Sequence, residues 1–363
     1  MLKEKILNWI GPFINLPLVG LDVSDQSIKY CSLQKTAVAI DSFGTLDIPN
    51  GVIIDGVIQK EEEFTKILRR LTVHGGRKIP PYVIISLPEE KSFLRLIQLP
   101  KVERQTIQGA VRWEIEGNVP LPLEDVFYDY EVIEPLKDGL NHYDVVITAI
   151  PKEIVESYIR TFKEAFMQPV VLELESQAIV RAAIKNQREK TARILTHVGR
   201  NTTSLVIVAG GAILYTSTLK LGGATFEENI TRAVGVTPTQ AVAIKKEHGL
   251  DKQVYEGRVF SALILTVSAL ADELKRAVGY YQNYAKHTHG ANTTIDEILL
   301  VGGDASLFGL PTFLSSTLRI PVRLGDPFST FPSTGNGIWP IPQHEALAYI
   351  TAIGLALRGV RGT

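Results

Sequence analysis

Cysteine is nearly absent from this chain: Cys31 is the only one in 363 residues. A framework of intramolecular disulfides is therefore excluded, and a reducing compartment is favoured. The formal net charge is −1 at pH 7, so the chain carries no overall field that would attract nucleic acid. No stretch approaches the roughly 18 unbroken apolar residues of a membrane-spanning helix. Walker A, G-x-S-x-G and H-E-x-x-H motifs are also lacking, which removes the usual signs of P-loop, serine-hydrolase and zinc sites.

The N-terminal segment is basic and apolar but does not have all the features of a signal peptide. Lys3 and Lys5 precede Ile6, Leu7 and Trp9, an arrangement like the start of a signal peptide. Glycine and proline interrupt the apolar run, and no small-residue cleavage site follows, so secretion is not predicted. Two interpretations stay open: a short amphipathic helix that lies on a membrane or partner, and a chain end that packs on its own domain.

The remaining pattern is that of an α/β protein. Hydrophobic residues make up 45% of the chain and charged residues 21%, as in globular proteins, and the length predicts two or three compact units. Residues 92–166 read as an inserted α+β unit in the order strand, helix, strand, strand, helix, with a turn at Asp138-Gly139. Gly210-Gly211 predicts a two-residue hairpin, and residues 260–286 predict a long helix.

Three strand–turn units are the most informative pattern. They cover residues 19–29, 194–205 and 298–305, and the first two are each followed by further short strands, which makes a weak internal repeat. Small residues after a buried strand let backbone N–H groups approach phosphate closely. We therefore expect the three turns to converge on a nucleotide between two lobes.

Several side chains in and near these turns suit a magnesium–nucleotide site. Asp22 is the predicted metal carboxylate, because Mg²⁺ prefers oxygen ligands and keeps much of its hydration shell. Lys29 supplies positive charge, and Gly222-Gly223 opens a helix whose N-terminus favours an anion. The predicted nucleotide-binding residues are Asp22, Ser24, Gln26, Ser27, Lys29, Gly199, Thr202, Thr203, Gly222, Gly223, Lys245, Gly302 and Gly303.

Longer stretches carry a family resemblance. The most specific is Ala-Val-Arg-Trp-Glu-Ile-Glu-Gly-Asn-Val-Pro-Leu-Pro at 110–122, and others lie at 48–58, 99–102 and 352–358. From about residue 17 to 360 the chain resembles the PilM family of type IV pilus assembly, which is related in fold to FtsA. The resemblance implies an actin-like (ribonuclease H-like) two-lobed ATPase fold with an inserted α+β subdomain of the 1C type.

The resemblance also implies a division of the chain. The expected units are an N-terminal extension at 1–16, lobe 1A at 17–91, 167–190 and 343–360, subdomain 1C at 92–166, lobe 2A at 191–224 and 290–342, and subdomain 2B at 225–289.

Cofactors and partners follow from the same resemblance. It implies ATP or ADP with Mg²⁺ in the cleft between lobes. It also implies a groove between 1A and 1C that captures the N-terminal cytoplasmic tail of a PilN-like inner-membrane protein, with Trp113 as a candidate wall or core residue. The expected location is the cytoplasm, peripherally at the inner membrane, where pilus motor or PilC-like platform proteins are further candidate partners. Nucleic acid is not an expected partner.

Two positions depart from the superfamily pattern. Ser24 stands where the first loop usually has glycine, and His197 stands where the second loop usually begins with aspartate. Imidazole is a poor ligand for Mg²⁺, so weakened nucleotide binding and little or no hydrolysis are expected. Glu173 and Glu175 lie where a hydrolytic relative can hold a water-orienting acid; we interpret them as solvated or capping carboxylates.

The preferred interpretation is therefore a scaffold rather than an enzyme. The alternatives are an ATPase or small-molecule kinase of the actin/Hsp70 superfamily, a filament-forming protein like FtsA, and a type II secretion counterpart. Intact acidic metal sites and a general base would favour the enzyme.

Overall fold

The computed structural model describes residues 17–34, 39–74, 77–101, 104–133, 141–185, 191–288, 294–331 and 341–361. The predicted N-terminal extension 1–16 and the turn at Asp138-Gly139 lie outside these residues.

The strands are β1 (Val19–Val23), β2 (Ser27–Gln34), β3 (Ala39–Asp47), β4 (Ile53–Ile54), β5 (Val57–Ile58), β6 (Val73–His74), β7 (Arg77–Lys78), β8 (Tyr82–Leu87), β9 (Phe93–Pro100), β10 (Val126–Ile133), β11 (His142–Pro151), β12 (Gln168–Leu174), β13 (Ala192–Val198), β14 (Thr203–Ala209), β15 (Ala212–Leu219), β16 (Glu297–Val301) and β17 (Val322–Leu324). The helices are α1 (Glu61–Leu71), α2 (Arg104–Asn118), α3 (Lys152–Glu164), α4 (Glu175–Ala183), α5 (Gly223–Val234), α6 (Pro238–Glu247), α7 (Arg258–Thr288), α8 (Leu310–Leu318), α9 (Gln343–Ala346) and α10 (Ile350–Arg361).

Two five-stranded sheets share one connectivity. The first has the order β12-β8-β1-β2-β3 and the second the order β15-β14-β13-β16-β17. In each, three consecutive antiparallel strands continue into parallel neighbours: β1 pairs with β8, and β13 pairs with β16. The weak sequence repeat is therefore a repeat of the fold, and the turns that follow β1 and β13 occupy equivalent places.

The strands form where the chain alternates between buried runs and turn residues. Every residue of β1 and of β14 is buried, which is why both strands consist mainly of apolar residues. Gly210 and Gly211, between β14 and β15, have φ of 60° and 88°. These are the positive values that a two-residue hairpin of type I′ requires.

Two helices lie between the two sheets and join them through a shared core. Ile179 of α4 and Ile353 of α10 belong to one buried cluster with Leu195 of the second sheet. The helices approach closely, because a Cβ added at Gly354 would overlap the carbonyl of Ala178. The lobes are thus packed against a common hydrophobic layer.

The inserted unit is a three-stranded sheet in the order β10-β11-β9. Helix α2 covers one face with Ile107, Val111 and Ile115. On the other face, Ile133 and Val146 join the core of the second five-stranded sheet. Ile150 of β11 joins the core of the first five-stranded sheet, so the inserted sheet touches both lobes.

Helix α3 is placed differently from the sequence interpretation, which put it in the inserted unit. Its buried Val155, Tyr158 and Phe162 pack in the cluster of the first five-stranded sheet. The cause is its amphipathic face, which meets α1 and the sheet beyond the end of β11. The other lobe boundaries stay predictions.

Helix α7 is the one described helix long and apolar enough to cross a membrane, by length and mean hydropathy (1.4) alone. Its Leu263, Val267, Leu270 and Leu274 are buried in the core of the second sheet. A core helix of a globular domain passes the same test of length and composition, and the packing here is of that kind.

Candidate functional site

Three turns converge at the opening between the two five-stranded sheets. The amide of Asp304, after β16, donates to the carbonyl of Val198 at the end of β13 over 3.1 Å. Between these strands Gly302 has φ of +96°, and a Cβ there would overlap the Val198 carbonyl, so glycine is required. From the first sheet, the charge of Lys29 acts on His197 of β13. The cleft expected from the strand–turn pattern is therefore present.

The first-sheet side of this cleft holds one buried carboxylate beside one lysine. Asp22 and Lys29 are direct partners across the β1–β2 pair, and the hydroxyl of Ser86 donates to Asp22 over 3.3 Å. Burial raises the pKa of Asp22, and Lys29 and Ser86 oppose that shift. Ser24 donates from its hydroxyl to the carbonyl of Ser27 over 3.0 Å. The hydroxyl of Ser24 is therefore already used in a hydrogen bond within the turn.

The β1–β2 turn is anchored by hydrogen bonds to the segment that follows β3. The carboxylate of Asp25 accepts the amides of Asp55 and Gly56, each over 3.0 Å. The carbonyl of Gln26 accepts the amide of Ile48 over 2.8 Å, and the Gln26 side chain is half-buried. This turn is a rigid edge of the cleft.

Further carboxylates surround Asp22 that the sequence interpretation missed or misjudged. Glu175 at the start of α4 has a pKa raised well above its ordinary value, first by burial and then by Asp22, Glu90 and Glu89. Glu89 is buried, and its Oε2 accepts the amide of Ser176 over 3.1 Å. Glu175 is thus half-buried at the start of its helix and lies close enough to Asp22 for the two charges to interact. The position of Glu89 and Glu90 just after β8, beside β1, was the available signal.

On the second-sheet side of the cleft, His197 stands where the superfamily pattern has an aspartate. Burial and the charge of Lys29 lower the pKa of His197 to about 4, so the imidazole is neutral near pH 7. The amide of Gly199 donates to the carbonyl of Thr202 over 2.9 Å. The hydroxyl of Thr203 is buried and donates to a backbone carbonyl 2.7 Å away. Both of these polar groups therefore already form hydrogen bonds within the protein.

The N-terminus of α5 is also satisfied internally. The amide of Gly223 donates to the Gly199 carbonyl over 2.9 Å, and the amide of Ala224 donates to the Arg200 carbonyl over 2.8 Å. Gly222 caps the helix in an extended conformation. These amides therefore do not point at an open anion site, which is a correction to the role expected for Gly222 and Gly223.

Behind this N-terminus lie four charged side chains, which we call the ionic cluster: Arg200, Glu227, Lys245 and Asp304. The Nζ of Lys245 is 2.6 Å from Oε1 of Glu227 and also pairs with Asp304. Arg200 pairs with the other oxygen of Glu227. Lys245 is only 1% exposed, so it is a buried structural cation in this arrangement rather than an open ligand. Sequence reasoning missed the other three members of the cluster.

A magnesium nucleotide fits only part of this cleft. Among the described residues, no group of three or more His, Cys, Asp or Glu side chains is arranged to hold a metal ion. Asp22, Lys29 and Ser24 have the chemistry for phosphate and magnesium. The nucleoside side fits poorly, because its predicted ligand Lys245 is 1% exposed and is already paired with Glu227 and Asp304.

The same cleft continues into a small cavity of about 320 Å³ between the lobes. Thr202 lies on its wall together with Glu89 and Glu90. At its edge, Lys220 of the second sheet pairs with Asp55 over 2.7 Å. This ion pair and the shared core hold the lobes together.

A larger cavity lies elsewhere, between the first five-stranded sheet and the inserted sheet. Its volume is about 530 Å³, and it runs along two edge strands, β10 and β12. Phe127, Leu172 and Ile213 supply apolar walls, and Asp129 and Glu131 lie at the β10 side. Burial, with Asp129, raises the pKa of Glu131. We call this cavity the edge groove.

A buried ion triad forms one wall of the edge groove. Glu173 of β12 accepts from Arg181 Nη2 over 2.8 Å and from Arg358 Nη1 over 2.6 Å. Glu173 is 4% exposed, so the expectation of a solvated or capping carboxylate is wrong. Its partners lie far away in sequence, on α4 and α10, which is why the pairing was not predictable. The triad orients two guanidinium groups at the groove.

Trp113 is not part of this groove. It lies on α2 with 77% of its surface exposed, and the groove is lined from β10, β11, β12 and α4 instead. The predicted role of Trp113 as a core residue is therefore wrong, whereas its role as a wall of the partner groove stays a prediction. The most family-specific stretch of the sequence therefore does not line the edge groove through Trp113.

Comparison with known proteins gives the family. The family model described as type IV pilus assembly protein PilM matches residues 20–360. A chain of a solved PilM–PilN type IV pilus biogenesis complex has a TM-score of 0.78 at 24% identity, covering 96% of this chain and 99% of that one.

More distant structures show the fold alone. The ethanolamine utilization protein EutJ from Carboxydothermus hydrogenoformans has a TM-score of 0.55 at 16% identity, covering 98% of this chain and 97% of that one. MreB5 of Spiroplasma citri bound to AMPPNP has a TM-score of 0.54 at 12% identity, covering 95% and 96%. These are actin-like folds, so the predicted fold class is confirmed. With its family model spanning both sheets and the inserted unit, the chain belongs to the type IV pilus assembly protein PilM family.

Proposed function

We propose that this protein is a cytoplasmic scaffold of type IV pilus assembly that captures the N-terminal tail of a PilN-like inner-membrane protein in the edge groove. Family membership supports the pilus role, and a similar PilM was solved in complex with PilN. The observation that carries tail capture is the cavity of about 530 Å³ between two exposed sheet edges. It lies between the parts of the chain assigned to 1A and 1C.

The groove suits an extended peptide. Its volume is within the usual range for binding pockets, roughly 300–1,000 Å³. Edge strands such as β10 and β12 leave main-chain groups unpaired, and an extended segment can pair with them. The carboxylates of Asp129 and Glu131 favour a basic tail residue, while Arg181 and Arg358 favour carbonyl or carboxylate oxygens.

Docking on such a tail would hold the protein at the cytoplasmic face of the inner membrane. The family match favours pilus assembly over the type II secretion and FtsA-like alternatives. Contacts with pilus motor or PilC-like platform proteins stay predictions.

Catalysis forms no part of this proposal. Phosphoryl transfer needs acidic metal ligands and a group that positions or deprotonates the nucleophile. His197 stands at one of the acidic positions. Burial and the neighbouring carboxylates raise the pKa of Glu175, which disfavours its charged form. The expected ATP or ADP with Mg²⁺ is supported by Asp22 and Lys29 on one side of the cleft and opposed by the ionic cluster on the other.

Two exposed phenylalanines provide the test. Phe127 lines the edge groove with Lys152 over its ring at 5.6 Å. Phe166 has a similar cation, Arg69, over its ring at 5.4 Å, and it does not line the groove. A labelled peptide of the partner's N-terminal tail should bind the wild-type protein. Phe127→Ala should weaken binding at least about tenfold, as for a central apolar contact, and Phe166→Ala should leave it unchanged. Tail peptide that fails to bind folded wild-type protein, or equal effects of the two variants, would overturn the proposal.

A further inference from the structure

The nucleoside side of the cleft is the place where the chain departs most from a nucleotide-binding arrangement. Five predicted ligands belong there: Gly222, Gly223, Lys245, Gly302 and Gly303. We infer that the ionic cluster of Arg200, Glu227, Lys245 and Asp304 fills this space, so that the protein binds no nucleoside di- or triphosphate and its second lobe is held by side chains instead. This inference does not rest on tail capture.

The helix N-terminus already has its anion. Helix α5 begins at Gly223, and the carboxylate of Asp304 lies against that residue so closely that any Cβ would overlap it. A carboxylate at a helix N-terminus is favoured by the unpaired N–H groups and the helix dipole. Here the amides of Gly223 and Ala224 are also used, by backbone carbonyls. A nucleotide phosphate or ribose would have to displace Asp304.

Lys245, the lysine predicted to bind nucleotide, is also already paired within the protein. Lys245 bonds Glu227 and Asp304 at a position where 1% of its side chain is exposed. Breaking one partner of a buried pair leaves an uncompensated charge, which is costly. With Arg200, the cluster contains two cations and two carboxylates, so its charges balance. A nucleoside that separated these charges would bring a neutral sugar, which has no charged group to replace the lost ion pairs.

The turns that would clamp a nucleotide are joined directly. The cluster links the turn after β13, through Arg200, to the turn after β16, through Asp304, and to helices α5 and α6. The amide of Asp304 adds a bond of 3.1 Å to the Val198 carbonyl. These contacts perform the bridging that a bound nucleotide would otherwise perform between the same turns.

The turn of the second sheet that is equivalent to the Asp22 turn offers no acid to a metal ion. The charge of Lys29 acts on His197, which stands there, so Asp22 is the only acid at the two equivalent turn positions. A single carboxylate holds a magnesium ion weakly without substrate phosphates. The phosphate side therefore does not compensate for the filled nucleoside side.

Substitutions at Asp304 separate volume from charge. The full-length wild-type protein, Asp304→Ala and Asp304→Asn would each be titrated with a fluorescent ADP analogue and Mg²⁺, and thermal midpoints would be recorded with ATP and Mg²⁺. Asp304→Ala empties the space and leaves Lys245 paired with Glu227. Asp304→Asn keeps the volume and removes the charge, and it serves as the matched control.

The wild-type protein and Asp304→Asn should show no saturation up to about 1 mM nucleotide and no shift of the thermal midpoint. Asp304→Ala should gain at least about tenfold in affinity, and adding His197→Asp should raise it further. Saturable micromolar binding by the wild-type protein would overturn the inference. Failure of Asp304→Ala to bind, with its fold retained by circular dichroism, would overturn the role of the cluster. Tail-peptide binding is measured separately, so its failure is distinguishable from either result.

Discussion

Arg358, in the last helix, donates to Glu173, on the edge strand of the first sheet, over 2.6 Å. The two residues are 185 positions apart in the chain. Arg181 binds the same carboxylate from α4. The contact ties the C-terminal helix to the wall of the edge groove through one buried carboxylate.

Glu173→Gln should destabilise the protein and weaken tail binding together. Removing one partner of a buried ion network leaves the others uncompensated, at a cost of about 3–5 kcal/mol. Urea unfolding measures the loss, and Glu131→Gln on the groove rim is the control, with an expected change within about 0.5 kcal/mol. An unfolding midpoint equal to that of the wild-type protein would mean that the triad contributes nothing.

Stability should depend on pH through His197. In the folded protein its pKa is about 4, below the ordinary value of 6.5. Between these values the unfolded chain binds a proton that the folded chain does not, so the free energy of unfolding falls as pH falls from about 6.5 to about 4. Above about pH 6.5 both states are neutral and this contribution is constant. The loss amounts to up to about 3 kcal/mol, at 1.36 kcal/mol for each unit of pKa.

The pH effect is isolated by comparing His197→Gln with the wild-type protein in urea at about pH 7.5 and about pH 4.5. Carboxylates titrate in both proteins, so only the difference between them reports His197. The variant should lose less stability than the wild-type protein on acidification. Identical losses would show that the imidazole is protonated in the folded state.

Gly354→Ala should destabilise the shared core, whereas Gly279→Ala should not. An added Cβ at Gly354 overlaps the Ala178 carbonyl, while nothing lies within 4 Å of one at Gly279. Both glycines lie in helices, so the propensity gain of about 0.5–1 kcal/mol is common to both. Overpacking should cost Gly354→Ala about 2 kcal/mol or more, and thermal unfolding should separate the two. Equal midpoints would contradict the close approach of α4 and α10.

Local pattern was sufficient for the elements and for part of the cleft. The alternation of buried strands with small turn residues identified the turns after β1, β13 and β16, and Gly210-Gly211 identified a hairpin. Asp22 and Lys29 were predictable as neighbours, because a short turn between antiparallel strands brings residues of that spacing face to face.

The elements that were assigned wrongly from the sequence have one cause in common, which is that their placement depends on tertiary packing. Helix α3 has an amphipathic face that either sheet could cover, so sequence order alone assigned it to the inserted unit. Trp113 lies in the most family-specific stretch, yet its side chain points to solvent. Neither fact is encoded in spacing along the chain.

What the sequence determined by itself was the set of secondary elements, their repeat and the family, since these depend on residues within a few positions of one another. Tertiary structure alone decided which charges meet: Lys245 with Asp304, and Glu173 with Arg358. Such pairs are joined across 59 and 185 positions, and a buried charge takes whichever opposite charge the folded chain brings within hydrogen-bond distance. That choice makes Lys245, a predicted nucleotide ligand, part of internal ion pairs and places two guanidinium groups beside the edge groove.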